Sequence, residues 1–240
     1  MLADIQSDLE KLASPKDAVF LQRFFKTGPG EYAAGDRFRG IRVPQTRQLV
    51  RKYQALPLEQ ADHLLQSPFH EDRLLALLIL ARQFRKADEA AQAAIYRLYL
   101  SRSSFINNWD LVDTSAEHIV GAYLFERSRK PLLALARSSM LWERRIAILA
   151  TFYFIRRGQF EDTLRIADLL LTDEHDLIHK AVGWLLREVG KRDLAVEEGF
   201  LKPRYQAMPR TMLRYAIEKF PEKKRLAYLQ GRVPLGAIQP

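Results

Sequence analysis

The chain has 240 residues, 48% of them apolar, no cysteine, and a formal net charge of +9. That length and apolar share suit a single domain over 1–240, while the lack of cysteine excludes disulfides, thiolate metal ligands and a cysteine nucleophile. The basic excess points to a polyanionic partner, nucleic acid first, and excludes little else by itself.

Glycine and proline number 11 each and fall mostly at segment ends. Leu, Ala, Arg and Glu abound and β-branched runs are scarce, which favours helix throughout. No apolar run approaches the ~20 residues of a membrane span. The opening MLADIQSDLEKL is acidic and amphipathic, without an apolar signal core, so the expected location is the cytoplasm.

In chain order the periodicity predicts helices over 2–12, 15–26, 44–55, 58–66, 70–85 and 89–102. It continues over 108–127, 131–138, 141–157, 161–171, 176–191, 194–200, 210–220 and 221–229. Between the second and third helices, Gly28, Gly30, Gly35 and Gly40 predict the longest loop, and a flexible one.

A repeat runs through these helices. HEDRLLALLILARQF, LWERRIAILATFYFI, EHDLIHKAVGWLLREVGK and PRTMLRYAIEKF each carry a basic residue into an apolar helix: Arg73, Arg145, Lys180 and Arg214. The interval is about 35 residues, doubled between Arg73 and Arg145, with two helices per unit. The Trp, Leu-Gly and Tyr pattern of tetratricopeptide repeats is missing. The expectation is therefore an all-α, HEAT-like alpha-solenoid of antiparallel helix pairs. Equivalent positions in stacked repeats share one concave surface, so basic residues in register would line it as a basic groove. The plainer alternative is that each merely caps an exposed helix start.

The segment INNWDLVDTSAEH, 106–118, is the most informative for chemistry. Asn107 or Asn108 can cap a following helix, which puts Trp109 and Asp113 one turn apart on one face. A carboxylate there can stabilise an oxocarbenium-like sugar and orient water, and an aromatic face attracts positive charge. Such a pair taken alone is more often a core tryptophan beside a surface acid. Arg145 has the forked guanidinium that suits phosphate, and Trp184 follows Lys180 by about one helical turn.

NNWDLVD, WERRIAIL and HKAVGWLLRE, in this order, together with GIRVPQTRQL, resemble the AlkD-type DNA alkylation-repair glycosylases. The resemblance spans about 24–219. It implies a HEAT-like solenoid holding duplex DNA in a basic groove, and hydrolytic excision of cationic alkylated purines of the 3-methyladenine and 7-methylguanine type. It implies a lesion base left stacked in the duplex, hence a groove without a deep base pocket; with no nucleotide-binding motif and no lysine placed as a Schiff-base nucleophile, a monofunctional enzyme without cofactor is expected. By this resemblance Asp113 would stabilise the sugar cation and position water. Trp109 and Trp184 would contact the deoxyribose, and Arg145 would hold the adjacent phosphate. Arg47, Lys180 and Arg187 match basic positions for backbone contacts. Phe24 stands in the lesion-facing wall where the family commonly has tyrosine, and the 28–42 segment is longer than the family pattern.

The partner implied is double-stranded DNA containing alkylated purines, met by a monomer that is associated with the nucleoid when bound. His175 and His179 sit near Asp173, Glu174 and Asp176, but no HExxH pattern is present, and this turn reads as helix N-terminal chemistry rather than a metal site. No phosphate-cradling glycine motif is present. Two other readings stay open: a catalytically inactive HEAT-repeat protein that recognises DNA structure, and a protein-binding solenoid scaffold.

Overall fold

Helix starts follow directly from local sequence. The Ser14 hydroxyl accepts from the Asp17 backbone N–H at 3.3 Å and Pro15 stands in the first turn, which starts α2 (Pro15–Phe24) after α1 (Leu2–Leu12). Asp88 accepts from the Ala91 N–H at 2.8 Å to start α6 (Glu89–Ser101). Between them lie α3 (Val43–Lys52), α4 (Leu58–Leu65) and α5 (His70–Phe84), then α7 (Trp109–Asp113) and the short α8 (Ala122–Leu124). The remaining helices are α9 (Lys130–Ala136), α10 (Leu141–Ala150), α11 (Phe152–Ile155), α12 (Glu161–Leu169), α13 (Asp176–Gly190), α14 (Leu194–Leu201), α15 (Arg210–Ala216) and α16 (Glu222–Leu229). The computed structural model describes residues 1–234 and contains no strand among them, only an isolated parallel bridge between Arg37 and Phe69. No helix among the described residues is long and apolar enough to cross a membrane.

The chain divides into two compact units, Met1–Tyr123 and Leu124 onward. In the first, α5 is the central element. It is buried almost all round, through Leu74, Leu75, Leu77, Ile79, Leu80 and Phe84, and packs against α3, α4, α6 and α7. A helix apolar on every side must sit in a core, and this one does. In the second, α13 plays that part, burying Ile178, Val182, Leu185, Leu186 and Val189 against α10, α12, α14 and α15.

Three helices expected to be continuous are broken. The 108–127 stretch holds α7, a turn at Thr114 and Ser115, a π-helical turn over Glu117–Gly121, and α8. The cause is side-chain competition for backbone carbonyls. Thr114 Oγ1 donates to the Asp110 carbonyl at 2.7 Å, Ser115 Oγ contacts the Leu111 carbonyl at 2.5 Å, and the buried Tyr99 hydroxyl meets Ser115 Oγ at 2.9 Å. Likewise 141–157 breaks at Thr151, whose hydroxyl donates to the Ile148 carbonyl at 2.7 Å. The 210–220 stretch ends as α15 followed by a 3-10 turn over Ile217–Lys219.

The 28–42 segment is tied down rather than loose. Glu71 is 2% exposed, and its carboxylate accepts from three successive backbone N–H groups, Arg39 at 2.9 Å, Gly40 at 2.8 Å and Ile41 at 3.0 Å. Arg39 binds Asp72 through Nε at 2.7 Å and Nη2 at 3.0 Å, and stacks 4.0 Å over Phe69. Gly40 has φ +85°, and a Cβ there would lie 2.1 Å from the Ser14 carbonyl oxygen. The glycine is needed for close backbone approach to α2, not for mobility.

On α13, a Cβ at Gly183 would lie 2.4 Å from the Met212 carbonyl oxygen and 2.6 Å from the Tyr215 Cβ of α15. Gly183→Ala is therefore expected to destabilise the protein by ~1–3 kcal/mol through overpacking. Urea titration checks this: the midpoint should fall while the slope stays constant. An unchanged midpoint would mean that α15 gives way freely.

Candidate functional site

The site is built first from α7. Asn108 is fully buried, and its Oδ1 accepts from the Trp109 backbone N–H at 2.9 Å, fixing the start of the helix. Trp109 and Asp113 both lie on this single turn and are both half-buried. The indole of Trp109 stacks on Phe25 at 5.3 Å and 23°, and Phe24 meets it edge-on at 6.1 Å and 68°. Such offset and edge-on pairs add attraction beyond the area they bury. Phe25 stacks in turn on Phe38 at 5.1 Å, and Phe38 on His70 at 4.5 Å. The result is an aromatic column running from the solvent edge to the buried start of α5.

A cleft of about 470 Å³ opens along this column, lined among others by Phe20, Phe24, Phe38, Trp109 and Asp110. Phe20 and Phe24 remain 58% and 54% exposed at its edge. Monomers seldom leave adjoining large rings in water without a use for them. Arg47 lies on α3 with its side chain in solvent.

Charge lies directly behind the rings. His70 Nε2 and Asp110 Oδ2 are 2.8 Å apart, and His70 Nδ1 lies 3.6 Å from Asp36 Oδ2. Arg73 Nη2 reaches Asp36 Oδ2 at 2.8 Å and donates to Asn107 Oδ1 at 3.0 Å, while Asn107 Nδ2 donates to Asp36 Oδ1 at 2.8 Å. Burial disfavours the imidazolium, yet Asp110 and Asp36 outweigh it and raise the His70 pKa to about 9. Burial likewise works against an ionised Asp36, but His70, Arg73 and Asn107 hold its carboxyl below the ordinary value.

The other sequence-derived residues lie in the second unit, on α10 and α13, which pack together. Trp184 is half-buried on α13 and meets Phe152 edge-on at 5.7 Å, with Arg156 4.5 Å over the Phe152 ring. Arg145 is 4% exposed and donates to the Leu177 carbonyl at 2.5 Å. Lys180 pairs with Asp176 at 2.6 Å, one turn away, and Arg187 pairs with Glu218. Arg144 pairs with Asp173 at 2.6 Å and donates to the Ser138 and Ser139 carbonyls.

Of the four basic residues in repeat register, Arg73 and Arg145 are interior, Lys180 is half-buried and Arg214 is exposed. The register thus serves internal pairing as well as surface charge. A guanidinium placed just inside a helix can reach backward to carbonyls, as Arg73 does to Ser67 at 2.8 Å. His175 caps α13, its Nδ1 accepting from the Leu177 N–H at 3.1 Å, and His179 contacts the Asp173 carbonyl. Among the described residues no cluster of three His, Asp or Glu is arranged to hold a metal ion.

Sequence reading did not single out His70, Asp36 and Asn107 as working together. They lie on three segments far apart in the chain, and nothing local to HEDR or to INNWD predicts their meeting. The one available signal was an unusual density of charge, His70 to Arg73, at the start of an otherwise apolar helix.

The chain matches the family model described as DNA alkylation repair enzyme over residues 5–220. No curated protein matches it. It is similar to a solved structure named as a predicted DNA alkylation repair enzyme from Enterococcus faecalis, with a TM-score of 0.66 and 17% identity. The similarity covers 88% of this chain and 97% of that one. At that identity the likeness is one of fold.

The charged histidine has a consequence for stability. Its folded pKa of about 9 lies above the ordinary 6.5. The stabilisation is complete below the ordinary value, declines above it, and is lost as pH rises through about 9. Its upper bound is on the order of 3 kcal/mol. Melting curves of wild type and His70→Gln should therefore differ most near pH 6 and converge as pH passes the His70 value. A gap that stays constant with pH would mean that folding does not shift the His70 pKa.

Proposed function

The chain belongs to the DNA alkylation repair enzyme family, and on that premise we propose that it is a monofunctional DNA N-glycosylase acting on cationic alkylated purines in duplex DNA. The observation that carries this reading is the pairing of Trp109 and Asp113 on the one capped turn of α7, with the indole backed by the Phe25 stack. The reading carries with it the HEAT-like repeat array, with a concave basic groove, that the resemblance implies.

A purine alkylated at N3 or N7 already bears positive charge. When its N-glycosidic bond breaks, the bonding pair leaves with the base, which departs neutral, and the positive charge passes to the sugar. The base therefore needs no strong general acid. What it needs is stabilisation of an oxocarbenium-like deoxyribose, and a fixed carboxylate meets that need. Asp113 is the proposed carboxylate; it also orients the water whose oxygen bonds to C1′, the proton going to the carboxylate or to solvent. Trp109 presents a ring face to the same developing charge. The products are an abasic site and the free alkylpurine. No residue of this mechanism calls for a cofactor, and the lesion reacts while stacked.

Trp184 and Arg145 are proposed for the deoxyribose and the neighbouring phosphate. The Arg145 guanidinium is interior and donates to the Leu177 carbonyl, so a phosphate would compete with contacts it already makes. Arg47, Lys180 and Arg187 are proposed for backbone phosphates, and Phe24 for the lesion-facing wall. Its phenyl ring packs but offers no hydroxyl bond.

The test is release of free base from methylated duplex DNA. Wild type should release the alkylpurine, and Asp113→Asn, which keeps size and removes charge, should be slower by about 100-fold or more. Failure of wild type to release methylated adenine or guanine would leave a non-catalytic DNA binder. Binding itself is expected to weaken linearly in log–log terms as salt rises. Titration at several salt concentrations checks this, and a flat dependence would contradict a phosphate-tracking surface.

A further inference from the structure

Behind the Trp109 stack lies a closed group of charges that the proposed chemistry does not use. His70, Asp36 and Arg73 are 2%, 8% and 3% exposed. Burying ions is costly, and such a group persists only when every member is paired. It joins three segments that are remote in sequence: the 28–42 strap through Asp36, the start of α5 through His70 and Arg73, and α7 with its lead-in through Asp110 and Asn107.

The helix it grips depends on tertiary contacts to stay in place. α7 is five residues long, too short to be stable by its own hydrogen bonds. The chain breaks immediately after it, at Thr114 and Ser115. Leu111 and Val112 anchor its apolar side in the core. Its rotation and entry angle are set in part by the Asn108 cap and by the Asp110 contact with His70 at 2.8 Å, beside the stack of Trp109 on Phe25. Asp110 sits between Trp109 and Asp113, so any shift of Asp110 moves both.

We propose that His70 is a positioning residue: its bond to Asp110, braced by Asp36 and Arg73, fixes α7 so that Trp109 and Asp113 keep a productive pose. This rests on the glycosylase reading for its effect on rate, but not for its effect on α7. The charged groups that face the imidazole are Asp110 from α7, Asp36 from the strap and Arg73 from its own helix. Phe25, the residue that ends α2, sets its ring 4.9 Å from the imidazole, and the strap adds Phe38. Because the tie is between opposite charges, it weakens when the imidazole loses its proton.

The experiment compares wild type with His70→Gln, which can still donate to Asp110 but cannot be charged. Two quantities are read: kcat and KM for release of methylpurine from pH 6 to 10, and amide hydrogen exchange at 109–113 without DNA. The expected result is a kcat lower by about 10–100-fold with KM nearly unchanged. Wild type should lose activity with a midpoint near pH 9, and the variant should not show that step. Exchange over α7 should quicken in the variant while α13 stays as in wild type. A folded His70→Gln with wild-type kcat, pH profile and exchange would overturn the proposal. Should wild type release no base, the glycosylase reading falls, and exchange alone decides the positioning role in the same two directions. Should His70→Gln fail to fold, Asp110→Asn takes the same readouts with the same expected and overturning results.

Discussion

The carboxylate of Glu71, sealed from water at the start of α5, accepts hydrogen bonds from three successive backbone N–H groups of the 28–42 strap. Bonds to a charged acceptor are among the stronger ones, and here they satisfy backbone donors that would otherwise be buried unpaired. From this contact the order of the first unit follows. The strap is held in register with Phe69 and His70, which brings Asp36 to Arg73 and His70. His70 meets Asp110, and Asp110 stands beside Trp109 on a helix of one turn. Removing the Glu71 side chain would leave those three N–H groups without their acceptor, with Arg39–Asp72 and Asp36–Arg73 still holding the strap.

The second unit follows the same economy with different partners. Its guanidiniums are spent largely on the chain's own carbonyls and carboxylates: Arg145 on Leu177, Arg144 on Asp173 and two serine carbonyls, Arg129 on Asp162, Arg187 on Glu218. The 38 lysines and arginines are therefore not all presented to a polyanion, since many pair with carboxylates and carbonyls within the fold. The exposed remainder, such as Arg47 and Arg214, is what an external phosphate would meet first.

Helical content was legible in the sequence because helix formers abound, β-branched runs are scarce and the apolar period is strong in α13. The starts of α1, α2, α5, α6 and α13 were read to the residue. What was not legible was interruption. Thr114, Ser115 and Thr151 each look compatible with a helix, and break it only because their hydroxyls find particular carbonyls in three dimensions. The four glycines of 28–42 read as flexibility for a related reason: composition cannot tell a glycine needed for motion from one needed for close approach, as at Gly40. At the candidate site, the turn carrying Trp109 and Asp113 was legible, and its cap was legible as Asn107 or Asn108, of which Asn108 caps it. The ring of Phe25 beneath Trp109, and the charges beneath that, were not, since each comes from a different segment.

In the proposed function, a short helix held by these contacts presents a carboxylate to a sugar that becomes positively charged. An enzyme of that kind should bind the charged sugar better than the neutral one. The most direct measurement is the affinity for duplex DNA carrying, at one position, a cationic pyrrolidine in place of deoxyribose, against the same duplex with a neutral tetrahydrofuran. The account predicts that wild type favours the cation by about 100-fold or more, and that Asp113→Asn loses the preference. Equal affinity of wild type for the two duplexes would contradict it.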